Sequence, residues 1–496
     1  MVPFATPRAA ARRLVPTRLP AAQLTGNLTG HLMSPNPPRI KAVILAAGLG
    51  TRMRSRTPKV LHPICGRPML AYVVDAARAA TGEKPIVVYS PQTDAVREAF
   101  ADEADFALQQ TPNGTGDALR AAIESLSDDV DEVVVTYGDV PLIEPDSMSA
   151  LLDDRRSSGT PMALAAVVID DPARYGRVVI DADGTVERIV EFKDATDDER
   201  GIALINCGLY AFDAQWLRSA IAKLTPSAAT GELYLTQLVE LAAAGGSRAV
   251  AVEPPEDADW ESELAGINDR SDLAEVQLTL QYAILQRLME EGVTFTDPAR
   301  VTVDATVEIA EDVTIEPAVL LRGNTKIGRD TVIRAGTQIF DSVIGERSVV
   351  WASVVESSKI GDDVKVGPFA HLRAGCDIGD AAELGNFAEQ KNVRFGARSK
   401  QHHFSYLGDA EIGDDVNIGA GTITANYDGV RKHRTVIGNG AFIGSDTTLR
   451  APITVGEGAY TGAGSVVTKD VPPGKLAVGL PARIRERRPP KEDNGS

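Results

Sequence analysis

Aliphatic residues recur at every sixth position over much of the second half of the sequence, and this period restricts the fold more than any other feature. After a shift in phase the period resumes from Ile360, and it appears again from Ile412 and from Ile437. The first and longest run comprises Val303, Ile309, Ile315, Leu321, Ile327, Ile333 and Ile339. Neither the helical period of about 3.6 nor the strand period of about 2 gives this spacing. A solenoid of triangular coils does, with three hexapeptides per coil and one inward aliphatic side chain per face.

Two segments interrupt the period, Asn386–Tyr406 and Ala425–Arg434. Both are rich in His, Asn, Lys and Tyr, unlike the coils. Insertions in a solenoid project from it, and loops on a rigid scaffold often carry chemistry. We therefore expect both segments to be loops that hold functional residues.

The first half alternates short apolar runs with helical segments, which predicts an α/β domain with a mostly parallel sheet covered on both faces. We expect strands at Ile40–Ala46, Ile86–Tyr89, Val133–Tyr137 and Met162–Ile169, and helices at Met69–Ala80 and Gly116–Leu126. A further helix over Asp269–Glu291 carries one apolar stripe and is expected to connect the two halves.

Charge and composition exclude several classes of protein. A net charge of −18 argues against a general nucleic-acid binder. Cys65, Cys207 and Cys376 are too far apart to suggest a zinc site or a disulfide framework, and a reducing compartment fits them. No apolar run approaches the length of about 20 residues that spans a bilayer, so we expect no membrane association.

The first 38 residues contain several arginines and no acidic residue. They could mimic a transit peptide, but they lack the apolar core of a secretory signal. We expect a disordered leader, or an upstream start codon with Met33 as the true start.

A glycine-rich turn, Leu45–Met53, follows the first expected strand. Such a turn lets backbone N–H groups approach phosphate oxygens, but it fits neither the P-loop nor the dinucleotide-binding pattern. Arg52 and Lys59 add two cations that can neutralise a triphosphate and its departing pyrophosphate. The turn and these cations together indicate a nucleotide site.

Asp139 ends another expected strand, where a carboxylate points into the ligand crevice of a parallel sheet. A helix cap or turn aspartate is the alternative. Beside a phosphate-binding turn, Mg²⁺ binding is favoured, since Mg²⁺ prefers oxygen ligands.

The segment Leu45–Met53 with Pro58-Lys59 resembles the sugar-nucleotide pyrophosphorylase family. The order of motifs from Ile40 to about Arg483 resembles one of its branches, the bacterial bifunctional N-acetylglucosamine-1-phosphate uridyltransferase/glucosamine-1-phosphate acetyltransferases. The resemblance implies a Rossmann-like nucleotidyltransferase domain over 39–266, a helical linker over 267–297 and a left-handed parallel β-helix over 298–482, with a disordered tail over 483–496.

The resemblance also implies roles in the first half. The phosphates would lie on Leu45, Ala46, Ala47, Gly48 and Lys59; the uracil on Gln109, Gly114 and Thr115; the ribose and metal beside Tyr137, Gly138 and Asp139; and the N-acetylglucosamine on Gly176, Glu191 and Asn206. Asn268 would be the second magnesium ligand.

Four positions depart from the family pattern in the first half. Asn113 stands where the family usually has Leu, Asp117 where it has His, Cys207 where it has Thr, and Gln237 where it has Asp. We expect activity to be retained, with base recognition or substrate affinity open to change.

Acetyl transfer to an amine needs a base, and a histidine in Asn386–Tyr406 suits that task. The pattern alone does not choose between His402 and His403; the resemblance implies His403, with Glu389 orienting it or stabilising its charge. Sugar-phosphate binding would fall to Arg373, Lys391, Tyr406 and Asn417, and acetyl-CoA binding to Ala420, Asn426, Tyr427, Ser445 and Ala463. The arginine expected to meet the CoA phosphate falls on Leu480, and Arg483 is expected to replace it.

The expected function is synthesis of UDP-N-acetylglucosamine in the cytoplasm, by a homotrimer, from glucosamine 1-phosphate, acetyl-CoA and UTP with Mg²⁺. N-acetylglucosamine 1-phosphate would be the intermediate. One alternative is a sugar-1-phosphate nucleotidyltransferase with a purely regulatory β-helix. Another is a non-catalytic assembly factor that kept the fold.

Overall fold

A computed structural model describes residues 37–172, 175–181, 185–228, 230–255 and 258–486. The chain divides between Leu280 and Gln281 into two compact units. Residues 1–36 and 487–496, which hold nearly all of the expected leader and most of the expected tail, lie outside the described residues.

The first unit alternates strands and helices. Its strands are β1 (Ile40–Leu45), β2 (Pro63–Ile64), β3 (Arg67–Pro68), β4 (Ile86–Tyr89), β5 (Asp105–Leu108), β6 (Glu132–Tyr137), β7 (Met162–Val168), β8 (Arg177–Ile180), β9 (Val186–Val190), β10 (Leu204–Asp213) and β11 (Val250–Val252). Its helices are α1 (Met69–Thr81), α2 (Ala95–Ala99), α3 (Thr115–Glu124), α4 (Pro145–Ser158), α5 (Asp197–Arg200), α6 (Ala214–Ile221), α7 (Gln237–Ala244) and α8 (Trp260–Glu263), and α9 (Arg270–Glu290) includes the division between the units.

The main sheet has the strand order β11-β7-β10-β6-β1-β4-β5. The four strands β6, β1, β4 and β5 are parallel, whereas β10 runs antiparallel to β6 and β7. Val43 and Leu45 of β1 pack into one core with Leu119 of α3 and Leu217 of α6. Helix α1 packs against β1, α4 packs against β7 and β10, and the two helices pack against each other. The expected α/β fold is confirmed.

The second unit is a left-handed parallel β-helix of short strands, as the six-residue period predicts. Its strands are β12 (Thr294–Phe295), β13 (Thr302–Val303), β14 (Glu308–Ile309), β15 (Thr314–Ile315), β16 (Leu320–Arg322), β17 (Lys326–Ile327), β18 (Val332–Ile333), β19 (Gln338–Phe340), β20 (Val343–Ile344), β21 (Val349–Val350), β22 (Val354–Glu356), β23 (Lys359–Ile360), β24 (Lys365–Val366), β25 (His371–Arg373), β26 (Asp377–Ile378), β27 (Glu383–Leu384), β28 (Glu389–Phe395), β29 (Lys400–Gln401), β30 (Tyr406–Ile412), β31 (Asn417–Ile418), β32 (Ile423–Ala425), β33 (Thr435–Ile437), β34 (Phe442–Ile443), β35 (Thr448–Arg450), β36 (Ile453–Val455), β37 (Tyr460–Thr461), β38 (Val466–Val467), β39 (Leu476–Gly479) and β40 (Ala482–Arg485).

Coils stack through parallel pairs between every third strand. Thus β13 pairs with β16, β16 with β19 and β19 with β22. Each hexapeptide residue from Val303 to Ile339 is buried. In the phase shift Ile344, Val350 and Val355 continue the same interior rows, and all three are buried. Between Ile339 and Ile360 three of the four steps are five residues long instead of six, so the shift shortens three steps and leaves the solenoid unbroken.

The segment Asn386–Tyr406 is not a projecting loop, and that expectation is wrong. Its strand β28 pairs with β25 and β30, and β29 pairs with β27 and β31. Gln390 and Gln401 occupy the inward positions and are both fully buried, and Gln390 Nε2 donates to Gln401 Oε1 at 2.6 Å. Two hydrogen-bonded glutamines stand in place of aliphatic side chains, so the coil continues where the pattern of hydrophobic residues stops.

The second segment does leave the coil, as expected. Between β32 and β33 the chain forms a loop in which Tyr427 and Lys432 form an isolated antiparallel β-bridge. The Asp428 carboxylate accepts hydrogen bonds from the backbone N–H groups of Val430 and Arg431 and contacts His433 Nε2 at 2.6 Å. These bonds hold the pKa of Asp428 well below its usual value. The loop therefore has a fixed internal structure although it projects from the coil.

The β-helix ends in a hairpin. Strand β40 pairs antiparallel with β39, so ordered structure runs past residue 482, the predicted limit of this domain. Among the described residues no helix has the combined length and apolar character that would let it cross a membrane.

Candidate functional sites

The glycine-rich turn lies where the parallel strands of the first unit end. The Gly138 N–H donates to Leu45 O at 3.0 Å, and the Ala46 N–H donates to Val88 O at 2.9 Å. Leu45, Ala46 and Ala47 are buried, whereas a Cβ atom at Gly48 would meet no protein atom within 4 Å. The turn therefore presents bare backbone to open space, as a phosphate cradle requires.

Lys59 approaches this turn closely. Gly50 has a φ of +58°, and a Cβ atom there would lie 2.5 Å from the Lys59 Cβ, so glycine is what lets the lysine stem pass. The Lys59 Nζ atom forms an ion pair with the Asp139 carboxylate, and both side chains are largely buried.

A second cation meets the other proposed metal ligand. Arg52 Nη2 donates to Asn268 Oδ1 at 2.7 Å, and the Ile267 N–H donates to Asp139 O at 2.9 Å, so Asn268 is held beside Asp139. No three His, Cys, Asp or Glu side chains cluster as metal ligands in the described ranges. One carboxylate and one amide oxygen fit Mg²⁺ nonetheless, because Mg²⁺ commonly takes one or two protein oxygens plus substrate phosphates and water.

The predicted sugar residues lie near one another on β8 to β10. A Cβ atom at Gly176 would be 3.8 Å from both Asn206 Cβ and Glu191 Oε2. Glu191 Oε1 accepts a hydrogen bond from Thr236 Oγ1 at 3.1 Å, and burial raises the Glu191 pKa. Asn206 Nδ2 donates to Tyr210 Oη at 2.6 Å. These contacts position a carboxylate and an amide beside a glycine that leaves space for a ligand.

The position of the Tyr137 ring explains why residue 208 is a glycine. A Cβ atom at Gly208 would lie 2.4 Å from the Tyr137 ring, and Gly208 has a φ of +80°. Burial, and then the nearby Glu191 carboxylate, raise the Tyr137 pKa, so its phenol stays protonated.

Gln237 and Cys207, two residues that depart from the family pattern, have defined surroundings. The Gln237 side chain bonds Thr225, with Oε1 accepting from the Thr225 N–H at 2.7 Å. Cys207 is buried, and burial raises the pKa of its thiol to about 12. The thiol is therefore neutral at physiological pH and offers no nucleophile to the site.

The predicted uracil residues meet at the start of α3. The Gln109 side chain contacts both Gly114 and Asp117, and Thr115 Oγ1 accepts from the Leu235 N–H at 3.0 Å. Gly114 has a φ of +98°, and a Cβ there would lie 2.4 Å from Leu233 O. Gln109 and Asp117 line a cavity of about 370 Å³ together with residues from 108 to 124.

In the second unit, four predicted residues form a row along one corner of the β-helix. His403, Ala420, Ser445 and Ala463 follow at equal distance the strands β29, β31, β34 and β37, which pair in that order. The Asp446 N–H donates to Ala420 O at 2.6 Å and the Gly464 N–H to Ser445 O at 2.8 Å. The row places an imidazole at one end of a track of small side chains.

The structure distinguishes the two adjacent histidines. His402 Nε2 lies 3.6 Å from Glu383 Oε2, and its ring fills the space above Gly385, where a Cβ would be 2.1 Å from Nδ1. His403 is exposed, has a φ of 54°, and its side chain forms no hydrogen bond or ion pair among the described residues. His402 is thus packed against the coil, and the His403 ring is open to a ligand.

Strands next to this corner carry the predicted sugar-phosphate residues. Arg373 pairs with Lys391, and Lys391 with Gly408; Glu389 pairs with Tyr406. The Glu389 carboxylate accepts from Arg373 Nη1 at 3.3 Å; no described contact links it to His403.

Lys432 is a residue that sequence reasoning missed. The Lys391 and Lys432 side chains lie close together, and the positive charge of Lys432, with a further contribution from Arg373, lowers the Lys391 pKa. Three cations on two coils and one loop favour a bound anion there. The signal in the sequence was its place six residues after Asn426, inside the interrupting segment.

The remaining acetyl-CoA residues adjoin the same corner. Asn426 Nδ2 donates to Asp409 Oδ2 at 2.6 Å, and Tyr427 is largely exposed on the loop. Asn417, predicted for the sugar site, begins β31, the strand that leads to Ala420. Arg483 pairs with Val478, whose side chain covers Gly462, so the arginine lies near the end of the small-residue row.

Two family models match the chain. The MobA-like NTP transferase domain matches residues 42–225, and the bacterial transferase hexapeptide model (six repeats) matches residues 357–389 and 434–469. Three curated relatives, each named "Bifunctional protein GlmU", are similar over most of their length. That of Rubrobacter xylanophilus is 47% identical over 443 residues (89% of this chain, 93% of the relative). That of Heliobacterium modesticaldum is 46% identical over 437 residues (88% and 94%), and that of Paenarthrobacter aurescens is 44% identical over 447 residues (89% and 89%).

Proposed function

This chain belongs to the family of bifunctional GlmU proteins, and from that premise we propose that it makes UDP-N-acetylglucosamine, a donor for bacterial cell-wall synthesis, in two steps. The β-helix acetylates glucosamine 1-phosphate with acetyl-CoA, and the α/β domain then transfers UMP from UTP to N-acetylglucosamine 1-phosphate. The observation that carries the proposal is the presence of two separate sites. One is the cationic glycine turn, and the other is the small-residue row that His403 heads.

In uridylyl transfer, a phosphate oxygen of N-acetylglucosamine 1-phosphate attacks the α-phosphorus of UTP in line, and the bond to pyrophosphate breaks. The backbone of Leu45–Gly48 binds the phosphates, and Lys59 and Arg52 neutralise the charge that moves to the leaving group. The buried carboxylate of Glu191 and the amide of Asn206 bind the sugar. No covalent intermediate with the protein is needed.

Asp139 and Asn268 would hold the magnesium ion, which supplies further charge neutralisation at the phosphates. The Asp139 carboxylate pairs with Lys59 and the Asn268 amide oxygen accepts from Arg52, and this affinity for cations supports the assignment. Substrate phosphates would draw both cations away from these oxygens.

In acetyl transfer, the amine nitrogen attacks the thioester carbonyl, the C–S bond breaks, and the CoA thiolate leaves. An imidazole nitrogen of His403 takes the proton that the amine loses. Arg373, Lys391 and Lys432 bind the sugar phosphate, with Tyr406 and Asn417 on the sugar. The extended acetyl-CoA arm lies along Ala420, Ser445 and Ala463, flanked by Asn426 and Tyr427, and Arg483 meets its phosphate.

We further propose a homotrimer whose acetyltransferase sites lie between neighbouring β-helices. Phe369, Phe387 and Phe404 are all more than half exposed, and they lie in one row beside His403, with the first two rings stacked at 5.6 Å. An exposed aromatic row of this kind is typical of a protein interface. Three buried cysteines form no disulfide among the described residues, which fits a cytoplasmic location.

The test is a mass-spectrometric assay with glucosamine 1-phosphate, acetyl-CoA, UTP and Mg²⁺, each omitted in turn. We expect UDP-N-acetylglucosamine only in the complete mixture, and N-acetylglucosamine 1-phosphate when UTP is left out. Product formed solely from added N-acetylglucosamine 1-phosphate would instead make the β-helix a regulatory domain.

A further inference from the structure

The carboxamide of Gln109, which is proposed to contact the nucleobase, is buried and hydrogen-bonded within the protein. Gln109 is 3% exposed, so its amide has little freedom to turn. Its Nε2 atom donates to Gly114 O at 3.1 Å and to Asp117 Oδ2 at 2.9 Å. A primary amide has two N–H groups, and both are therefore used within the protein.

The two partners determine which way round the amide lies. A backbone carbonyl and a carboxylate only accept hydrogen bonds. With the amide reversed, Oε1 would face two acceptors and both Nε2 hydrogens would lose their partners. The orientation thus follows from the chemistry of the neighbours, and Oε1 has no hydrogen-bond donor among the described residues.

Asp117 is itself fixed. Its other oxygen, Oδ1, forms an ion pair with Arg120, one helical turn further along α3, and its side chain is only 15% exposed. This carboxylate stands where the relatives' motif usually has a histidine, which can donate as well as accept. The constraint on Gln109 is thus supplied by a residue that departs from the usual family motif.

We propose that Asp117 is a positioning residue that makes Gln109 a pure acceptor toward the base and thereby selects uracil over cytosine. The inference rests on the proposed uridylyl transfer and on Gln109 facing the base. Uracil carries a hydrogen at N3 and can donate to Oε1, whereas cytosine has a lone pair at N3 and would face another acceptor. A buried acceptor left opposite an acceptor rejects the wrong ligand strongly.

The experiment compares kcat/KM for UTP and CTP, with N-acetylglucosamine 1-phosphate as the second substrate, in the full-length protein and its variants. In Asp117→Ala the Gln109 amide keeps only the Gly114 carbonyl as a partner and can rotate as a unit to present an N–H group to the base, so the UTP-to-CTP ratio should fall at least about tenfold. In Asp117→Asn the side-chain oxygen still accepts from Nε2, and the ratio should stay near the wild-type value. Glu124→Gln, which lines the same cavity, is the matched control and should leave the ratio unchanged.

An unchanged ratio in Asp117→Ala, with the wild-type melting temperature and acetyltransferase rate, would overturn the inference. If Asp117→Ala does not fold, Asp117→Ser takes its place, because its hydroxyl is too short to reach Gln109. Wild-type protein that makes no nucleotide sugar from UTP would contradict the proposed function itself, so the two failures are distinguishable.

Discussion

Lys59 Nζ is ion-paired with the Asp139 carboxylate at the edge of the central sheet, and the two side chains are only 15% and 20% exposed. The cation that would bind phosphate and the carboxylate that would bind the metal therefore hold each other in place. Removing one partner of an ion pair this well shielded from water leaves a buried charge without compensation, which destabilises the protein. When the pair separates, each group should therefore need a new partner of opposite charge. The substrate phosphates would provide one for Lys59, and the metal ion would provide one for Asp139.

Replacement of Lys59 by alanine should lower kcat/KM for uridylyl transfer by about 10²–10³-fold, because one preorganised charge at the departing pyrophosphate is lost. Pyrophosphate release in the presence of UTP and Mg²⁺ measures it. Acetyl transfer should be unaffected, and Lys84→Ala, at an exposed lysine of the same unit, is the control. Equal losses in both reactions would point to a folding defect instead.

His403→Ala should reduce acetyl transfer by at least about 10²-fold, since the base that accepts the amine proton is removed. A thiol-release assay with acetyl-CoA and glucosamine 1-phosphate reports the rate. His402→Ala is the matched neighbour, and it should keep most of the activity because His402 contacts Glu383 and packs over Gly385. The reverse pattern would reassign the base to His402.

The buried Gln390–Gln401 pair should behave non-additively. Gln401→Leu leaves the Gln390 amide without a donor or acceptor partner and should destabilise the second unit by about 1–3 kcal/mol. Adding Gln390→Leu removes the stranded polar group and restores apolar packing, so the double variant should recover part of that loss. Thermal unfolding of the two single variants and the double variant provides the cycle. Strictly additive losses would show that the two side chains do not depend on each other.

The raised pKa of Glu144 predicts that the stability of the first unit depends on pH. Burial, and then the nearby Glu263 and Asp146 carboxylates, raise its pKa from 4.5 to about 7. Between these values the folded state binds more protons than the unfolded state, so stability should fall as pH rises from about 4.5 to 7 and then level off.

Glu144→Gln should remove this part of the pH dependence, and the variant should be more stable than wild type at pH 8 and similar at pH 4.5. Differential scanning calorimetry across that range measures the difference. Glu98→Gln, at an exposed carboxylate, is the control and should follow the wild-type curve. A constant difference between Glu144→Gln and wild type at all pH values would contradict the assignment.

Phe387→Ser should weaken the proposed trimer, because it removes the middle ring of the exposed aromatic row. Light scattering should then show monomer at concentrations where wild type is trimeric, with acetyl transfer lost and uridylyl transfer retained. A wild-type protein that is already monomeric would contradict the trimer directly. Ile423→Ser, at another exposed apolar residue of the β-helix, tests whether any surface change has the same effect.

The sequence predicts the solenoid well, because each inward position is filled by one residue whose identity is visible without knowledge of distant contacts. Val303 and Ile443 are buried as their spacing requires. The prediction failed at Gln390 and Gln401, where a hydrogen bond across the interior of one coil replaces apolar packing. Such a pair cannot be recognised until the register that joins the two residues is known.

The first site was predicted less completely for a similar reason. The glycine turn, Lys59 and Asp139 are neighbours of strand ends, which local pattern identifies. The Gln109 orientation depends on Asp117 and Arg120, and in the second unit the proximity of Lys391 to Lys432 depends on a loop returning to a strand. Only the three-dimensional structure brings these residues together, so composition and spacing did not predict these contacts.

The loop between β32 and β33 has an evolutionary consequence. The strands on either side of it remain in parallel register with the coil below, since β30 pairs with both β32 and β33. The loop therefore begins and ends beside the same strand of the neighbouring coil. The entropic cost of closing a longer loop grows only slowly with its length. This point in the chain can accept insertions, deletions or a transplanted segment while the scaffold is inherited unchanged. The family can thus diversify what its coils present without having to reinvent the coils.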